Sequence, residues 1–142
     1  MANNLKQYIE QLESAGQLKR IIAPVSPHLE ITEITDRVSK SGGPALLFEK
    51  VEGYEYSLLI NAFGSNERMC IALNTKAFDD IGKKIESILK TNAPTTLKEK
   101  LKVLLTIKDI ATYLPKTVKT APCKHTIYTQ GELLDRLPIQ TC

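Results

Sequence analysis

The stretch GGPALLFEKVEGYEYSLLINA, residues 42–62, decides how this chain folds. Two short apolar runs, Ala45–Glu49 and Ser57–Ala62, flank KVEGYEY. Gly53 is free to take the left-handed conformation that a reversal needs, so the runs read as an antiparallel hairpin. Gly42 and Gly43 precede the first run. A glycine pair before an apolar run raises the question of a phosphate cradle, and chain direction answers it. Phosphate loops leave a strand and enter a helix, so that free amides at the helix N-terminus point at the anion. Here the order is reversed: the glycines close a helix and launch a strand. The helix end facing them carries negative partial charge, and Pro44 removes one amide donor. The loop is therefore read as structural.

Working outward, Leu5, Tyr8, Ile9 and Leu12 recur at the spacing of one helix face, and Gly16 supplies the stop. Leu18–Ile22 reads as a short strand ended by Pro24. Ser26-Pro27 is a helix-start signal, with Ile31, Ile34, Thr35 and Val38 as the buried stripe and Gly42 as the end. Within that helix Glu33 and Arg37 are spaced to pair. Beyond the hairpin, Ser65 is placed to cap a helix over Asn66–Leu73. Thr75 is placed to cap another, with Phe78, Ile81, Ile85, Ile88 and Leu89 inward, broken by Pro94. Thr96 and Glu99 form a T-x-x-E capping box for a helix carrying Leu97, Leu101, Leu104 and Leu105. Lys124–Thr129 reads as a last strand and Glu132–Cys142 as an extended tail. The expected fold is α/β in the mixed, α+β sense: a small mixed sheet with an antiparallel hairpin, flanked by several helices.

The 142 residues suit one domain with its own core, and 42% hydrophobic with 25% charged residues is ordinary for a soluble globular protein. No apolar run approaches a membrane span, and MANNLKQYIE lacks the form of a secretory leader, so a cytoplasmic location is expected. Cys70, Cys123 and Cys142 lie far apart, which fits reduced thiols better than a disulfide framework or a zinc site. The net charge of +3 hides an asymmetry: residues 83–124 carry 10 lysines against Glu86, Glu99 and Asp109. Such a basic half suits solvated helix faces, or an anionic partner such as a membrane surface or nucleic acid.

Catalytic constellations are sparse. His28 and His125 are the only histidines, and neither has a second ligand at metal spacing. Cys123 and His125 are two apart, which on a strand puts them on one side without the register of a nucleophile and its base. Glu30, Glu33 and Asp36 cluster on the second helix, where dipole complement and surface pairing account for them. No G-x-S-x-G, H-E-x-x-H or Walker motif occurs.

Several stretches taken in order resemble one family. YIEQLESAGQLKRI (8–21), APVSPHLEITEITDRV (23–38), GGPALLFEKVEGY (42–54), LLINAFGSNERM (58–69), APCKH (121–125) and LPIQTC (137–142) are similar to the N-terminal region of the UbiD-type decarboxylases. Members of that family act on aromatic acids such as 3-polyprenyl-4-hydroxybenzoate in quinone biosynthesis. Their cofactor is prenylated FMN, held with a divalent metal and potassium. The resemblance implies that residues 1–120 form the N-terminal α/β domain and 121–142 begin the connection to a flavin-binding domain that follows in the family. It places the cofactor ligands and catalytic Glu–Arg–Glu set in that later domain. No catalytic, cofactor-binding or metal-binding residue is therefore expected in this chain, and no cofactor. The implied partners are the flavin-binding and C-terminal domains of a parent enzyme, homo-oligomeric at full length, with peripheral contact at the inner face of the membrane. The competing reading is a free-standing basic module for nucleic acid or another anionic surface.

Overall fold

The computed structural model describes residues 2, 4–89, 96–111, 114, 115, 117–129, 131 and 135–140. They fall into two units: residues 1–76 with 128–142, and residues 77–127.

The first unit is built on a three-stranded sheet in the order β1-β2-β3. Helix α1 (Leu5–Ser14) starts at Asn4, whose side chain accepts the Gln7 amide at 2.9 Å. It stops at Gly16, with φ +68°, where a side chain would be strained. Strand β1 (Leu18–Ile21) pairs parallel with β2 (Ala45–Phe48), and β2 pairs antiparallel with β3 (Leu58–Ile60), bringing Leu46 opposite Ile60 and Phe48 opposite Leu58. The expected hairpin is present, and Gly53 takes φ +81° in its connection. Between β1 and β2 runs helix α2 (Glu30–Lys40), closed by Gly42 at φ +69°. After β3, Ser65 caps α3 (Asn66–Leu73), its hydroxyl accepting the Arg68 amide at 3.2 Å.

All four residues of β2 are buried, because helices cover both faces of the sheet. Period-2 alternation divides them. Leu46 and Phe48 pack with Val25, Ile31 and Val51, supported by Ile34 and Val38 of α2. Ala45 packs on the opposite face with Tyr8 and Leu12 of α1, supported by Leu59, Ile71 and Ala72. Complete burial of a Leu12 or Ile31 side chain contributes about 2 kcal/mol. At the rim, Arg20 bridges Glu13 of α1 and Glu49 after β2, both at 2.7 Å. The C-terminal segment belongs to this unit. Tyr128 hydrogen-bonds Tyr56 (3.0 Å), Arg136 lies 5.1 Å from the Tyr128 ring centre, and Gln140 donates to Thr32 Oγ1 at 2.6 Å.

Two expectations in this unit need correction. Leu5 is exposed, so the buried face of α1 begins at Tyr8. Helix α2 starts at Glu30, not at Ser26-Pro27. The Ser26 hydroxyl accepts the His28 amide, and the Ser26 amide is taken by the Glu30 carboxylate at 2.9 Å. The chain then turns sharply at Leu29, φ +65° and ψ −39°, with Glu30 N–H donating to His28 O at 2.8 Å. This is a γ-turn of the strained hand, on an exposed leucine, and such a conformation costs on the order of 1–3 kcal/mol.

The second unit holds α4 (Phe78–Leu89), α5 (Leu97–Ala111) and a 3-10 turn at Pro122–Lys124. The capping box forms as expected: Thr96 Oγ1 accepts the Glu99 amide at 3.3 Å and the Glu99 carboxylate accepts the Thr96 amide at 3.1 Å. Helix α4 begins at Phe78, three residues after Thr75. No residue of α4 is buried: of the stripe read as its inner face, Ile81 and Ile88 are half-buried while Phe78, Ile85 and Leu89 are exposed, Leu89 at 79%. The strand expected over Lys124–Thr129 is absent; the 3-10 turn runs into irregular chain. Ile127, its one aliphatic side chain, is exposed and gives no face to bury. Pro94 and residues 132–134 and 141–142 of the expected tail lie outside the described residues.

Candidate functional site

The Gly43-Pro44 loop is where distant parts of the first unit converge. Gly43 leaves α2 with its amide bonded to Val38 O at 2.8 Å. A Cβ on Gly43 would lie 2.6 Å from the Val38 side chain, so only glycine allows the chain to pass this close. The loop carbonyls point inward and collect donors. Arg68 of α3 donates from Nη1 to Gly43 O and to Gln17 Oε1, both at 3.1 Å. Asn61, just after β3, donates from Nδ2 to Pro44 O at 3.0 Å and to Gly43 O at 3.3 Å. Asn61 holds φ +57°, which asparagine tolerates better than most residues. Gly64 completes the fit, since a Cβ there would fall 1.8 Å from Asn61 Oδ1.

Arg68 is 1% exposed, and none of the ion pairs among the described residues reaches it. Its charge is met by dipoles. The Gly43 carbonyl lies just past the C-terminal end of α2, where the aligned peptides leave negative partial charge. Gln17 relays further: its Nε2 donates to Glu67 Oε2 at 2.9 Å. The helix end that disfavours phosphate thus receives a guanidinium. Arg68 Nε is buried without a hydrogen-bond partner among the described residues.

Tyr8 packs against this knot. Its hydroxyl donates to Ala62 O at 2.8 Å and lies 3.1 Å from Arg68 O, while its ring stacks on Phe63 at 5.5 Å. Burial raises the Tyr8 pKa above the ordinary value, with the Arg68 charge partly opposing. A phenol whose folded pKa is raised contributes stability in full below about pH 10, and loses it as pH rises through the folded value. Tyr8→Phe is expected to cost about 1–2 kcal/mol at neutral pH, from the unpaired carbonyl it leaves. It should also flatten the alkaline fall in stability above about pH 10. Urea denaturation at pH 7 and pH 10.5 measures both effects.

The other residues singled out in the sequence do not gather into a site. His28 is exposed on the loop before α2. Cys123 and His125 are both exposed around the 3-10 turn, not on a strand. The carboxylates of the α2 cluster are engaged separately: Glu30 caps Ser26, Glu33 pairs with Arg37, and Asp36 pairs with Lys40 at 2.7 Å. Cys70 lines an open groove of about 780 Å³ beside Gln11 and Glu10 of α1 and Asn74 and Lys76 after α3. Among the described residues no group of three His, Cys, Asp or Glu side chains is placed to hold a metal. The glycine loop turns its Gly43 and Pro44 carbonyls, acceptors like a phosphate, to the donors of Arg68 and Asn61. Sequence reasoning does not find Arg68, Asn61 and Tyr8 as partners. Their signal is present only as letters within NAFGSNERM and YIEQLES.

Residues 9–85, from α1 through α3 and into α4, match the family model described as the 3-octaprenyl-4-hydroxybenzoate carboxy-lyase N-terminal domain. The chain belongs to this family. The whole knot around Arg68 except Tyr8 lies inside the matched region. A protein of Archaeoglobus fulgidus is 39% identical over 139 residues, covering 98% of this chain and 28% of its own length. The closed form of the Sedimentibacter hydroxybenzoicus vanillic acid decarboxylase matches with a TM-score of 0.60 and 28% identity, over 89% of this chain and 24% of that one. An evolved dimeric form of the UbiD-class enzyme HmfF from Pelotomaculum thermopropionicum, in complex with prFMN, matches with a TM-score of 0.53 and 26% identity, over 66% of this chain and 21% of that one. The chain therefore spans about a quarter of the length of the relatives it matches.

Proposed function

We propose that this chain is the N-terminal, non-catalytic portion of a prenylated-FMN-dependent decarboxylase acting on an aromatic acid. A 3-polyprenyl-4-hydroxybenzoate is the substrate that the family model's description suggests, and quinone biosynthesis is the role we infer from it. The observation that carries the reading is the family match across residues 9–85, together with neighbours that are an aromatic-acid decarboxylase and a prFMN-bound UbiD-class enzyme. In this reading the flavin, with a divalent metal and potassium, is held by the three quarters of a relative that this chain does not span. The flavin supplies the electron sink for loss of CO2. The chain's own residues supply a rigid platform, in which Arg68 and Asn61 fix the Gly43-Pro44 loop between α2 and β2. The full-length enzyme would be a cytoplasmic homo-oligomer touching the membrane only at its surface. No helix among the described residues is long and apolar enough to cross a membrane.

Two measurements test this. Fluorescence titration of the 142-residue chain with prenylated FMN is expected to show no saturable binding. Exchanging the chain for the matched region of the Archaeoglobus protein is expected to leave a chimaera with the flavin binding and the decarboxylase activity, assayed on 3-polyprenyl-4-hydroxybenzoate and other aromatic acids, that the Archaeoglobus protein itself shows. Decarboxylation by the isolated chain would sink the non-catalytic assignment. A chimaera that retains no flavin, when the parent protein does, would sink the family role.

A further inference from the structure

Helices α1, α2 and α3 each bury at least one side chain. Helices α4 and α5 bury none among their described residues. Yet both are patterned for burial. On α4, Ile81, Ile85, Ile88 and Leu89 return at helical spacing. On α5, Leu97, Leu101, Leu104 and Leu105 do the same, and these stand 85%, 59%, 61% and 56% exposed. Helices of this length draw most of their stability from packing an apolar face. An apolar surface left this open marks a place where other protein is meant to sit.

Two observations say what sits there. The first unit comprises residues 1–76 and 128–142, under two thirds of the chain. A match over 89% of the chain must therefore take in most of residues 77–127, and it is made by a stretch of a much longer decarboxylase chain in its closed form. Most of the segment that carries α4 and α5 thus has a counterpart inside a longer decarboxylase chain, of which the match covers only 24%. The second observation is charge. Residues 77–127 carry ten lysines against five acidic side chains, so the complementary surface is apolar and bordered by carboxylates.

We infer that the apolar faces of α4 and α5 dock on the remainder of the decarboxylase chain, making the second unit the docking element of the N-terminal region. This rests on the reading under Proposed function, and the experiment separates the two. Hydrogen exchange is followed by mass spectrometry in the free 142-residue chain and in the chimaera with the Archaeoglobus protein. Amides of residues 97–111 are expected to exchange at least about tenfold more slowly in the chimaera. The pair L101E and L104E should abolish that protection while leaving exchange in the first unit of the free chain unchanged. A chimaera that holds flavin but exchanges at 97–111 as fast as the free chain overturns the docking and leaves the family role standing. A chimaera without flavin overturns both. Sedimentation of the free chain as a dimer that L101E and L104E dissolve assigns the face to a second copy and overturns the inference. Protection of 97–111 in the free chain by phosphatidylglycerol vesicles, with none in the chimaera, assigns the face to a lipid surface and overturns it too.

Discussion

Arg68→Ala is expected to destabilise the first unit by about 3–4 kcal/mol, the loss of hydrogen bonds adding to the void left by a fully buried long side chain. The side chain is almost wholly enclosed and donates to Gln17 Oε1 and Gly43 O. Truncation takes the Arg68 donor from Gln17 Oε1, at about 1–3 kcal/mol where that group stays dry, while Gly43 O keeps the weaker bond from Asn61 Nδ2 at 3.3 Å. It also opens a void about as long as the arginine stem. The unpartnered Nε works the other way, because the native state already carries the cost of one unsatisfied buried donor. Arg68→Met separates the contributions: it fills the space and removes the charge, so it should cost less than alanine. Urea denaturation followed by tyrosine fluorescence measures the order, since four of the five tyrosines lie in the first unit. Equal losses for methionine and alanine would mean that hydrogen bonding, not packing, dominates at this position.

Phe48→Ala should cost about 4 kcal/mol, the middle of the range for emptying a buried aromatic position. Phe48 is fully buried at the end of the central strand, opposite Leu58 and among Val25, Ile31 and Val51. Its neighbours are held by α2 on one side and by the β2–β3 ladder on the other, so collapse into the void is limited. With total stabilities of about 5–15 kcal/mol for a native domain, either substitution removes a large share. The denaturation midpoint should fall with little change in slope, which a urea titration reads directly.

Local signals are legible because they act within a few residues. Ser65 caps α3, Thr96 and Glu99 close their box, Gly16 and Gly42 stop their helices, and Gly53 turns the hairpin. In each, donor and acceptor or the required backbone angle lie within about one turn of chain. The start of α2 departs from its spelling although it too is local. Ser26 and Pro27 spell a helix start, but the Ser26 hydroxyl is taken by His28 and Leu29 breaks the path with a γ-turn. The strand expected at Lys124–Thr129 does not form, for want of an alternating face to bury.

By itself the sequence determined the helix and strand order of the first unit, the direction of chain through Gly43-Pro44 and membership of the decarboxylase family. All three follow from short-range spacing or from letters in order. The tertiary structure alone decided what the loop is for. Arg68 reaches Gln17 across 51 positions and Gly43 across 25, and nothing in the spacing of the chain encodes those approaches. It also decided that Ile85 and Leu89 of α4 and Leu97, Leu101, Leu104 and Leu105 of α5 stand exposed. Periodicity fixes which side chains share a helix face, but only the fold determines whether anything comes to cover it.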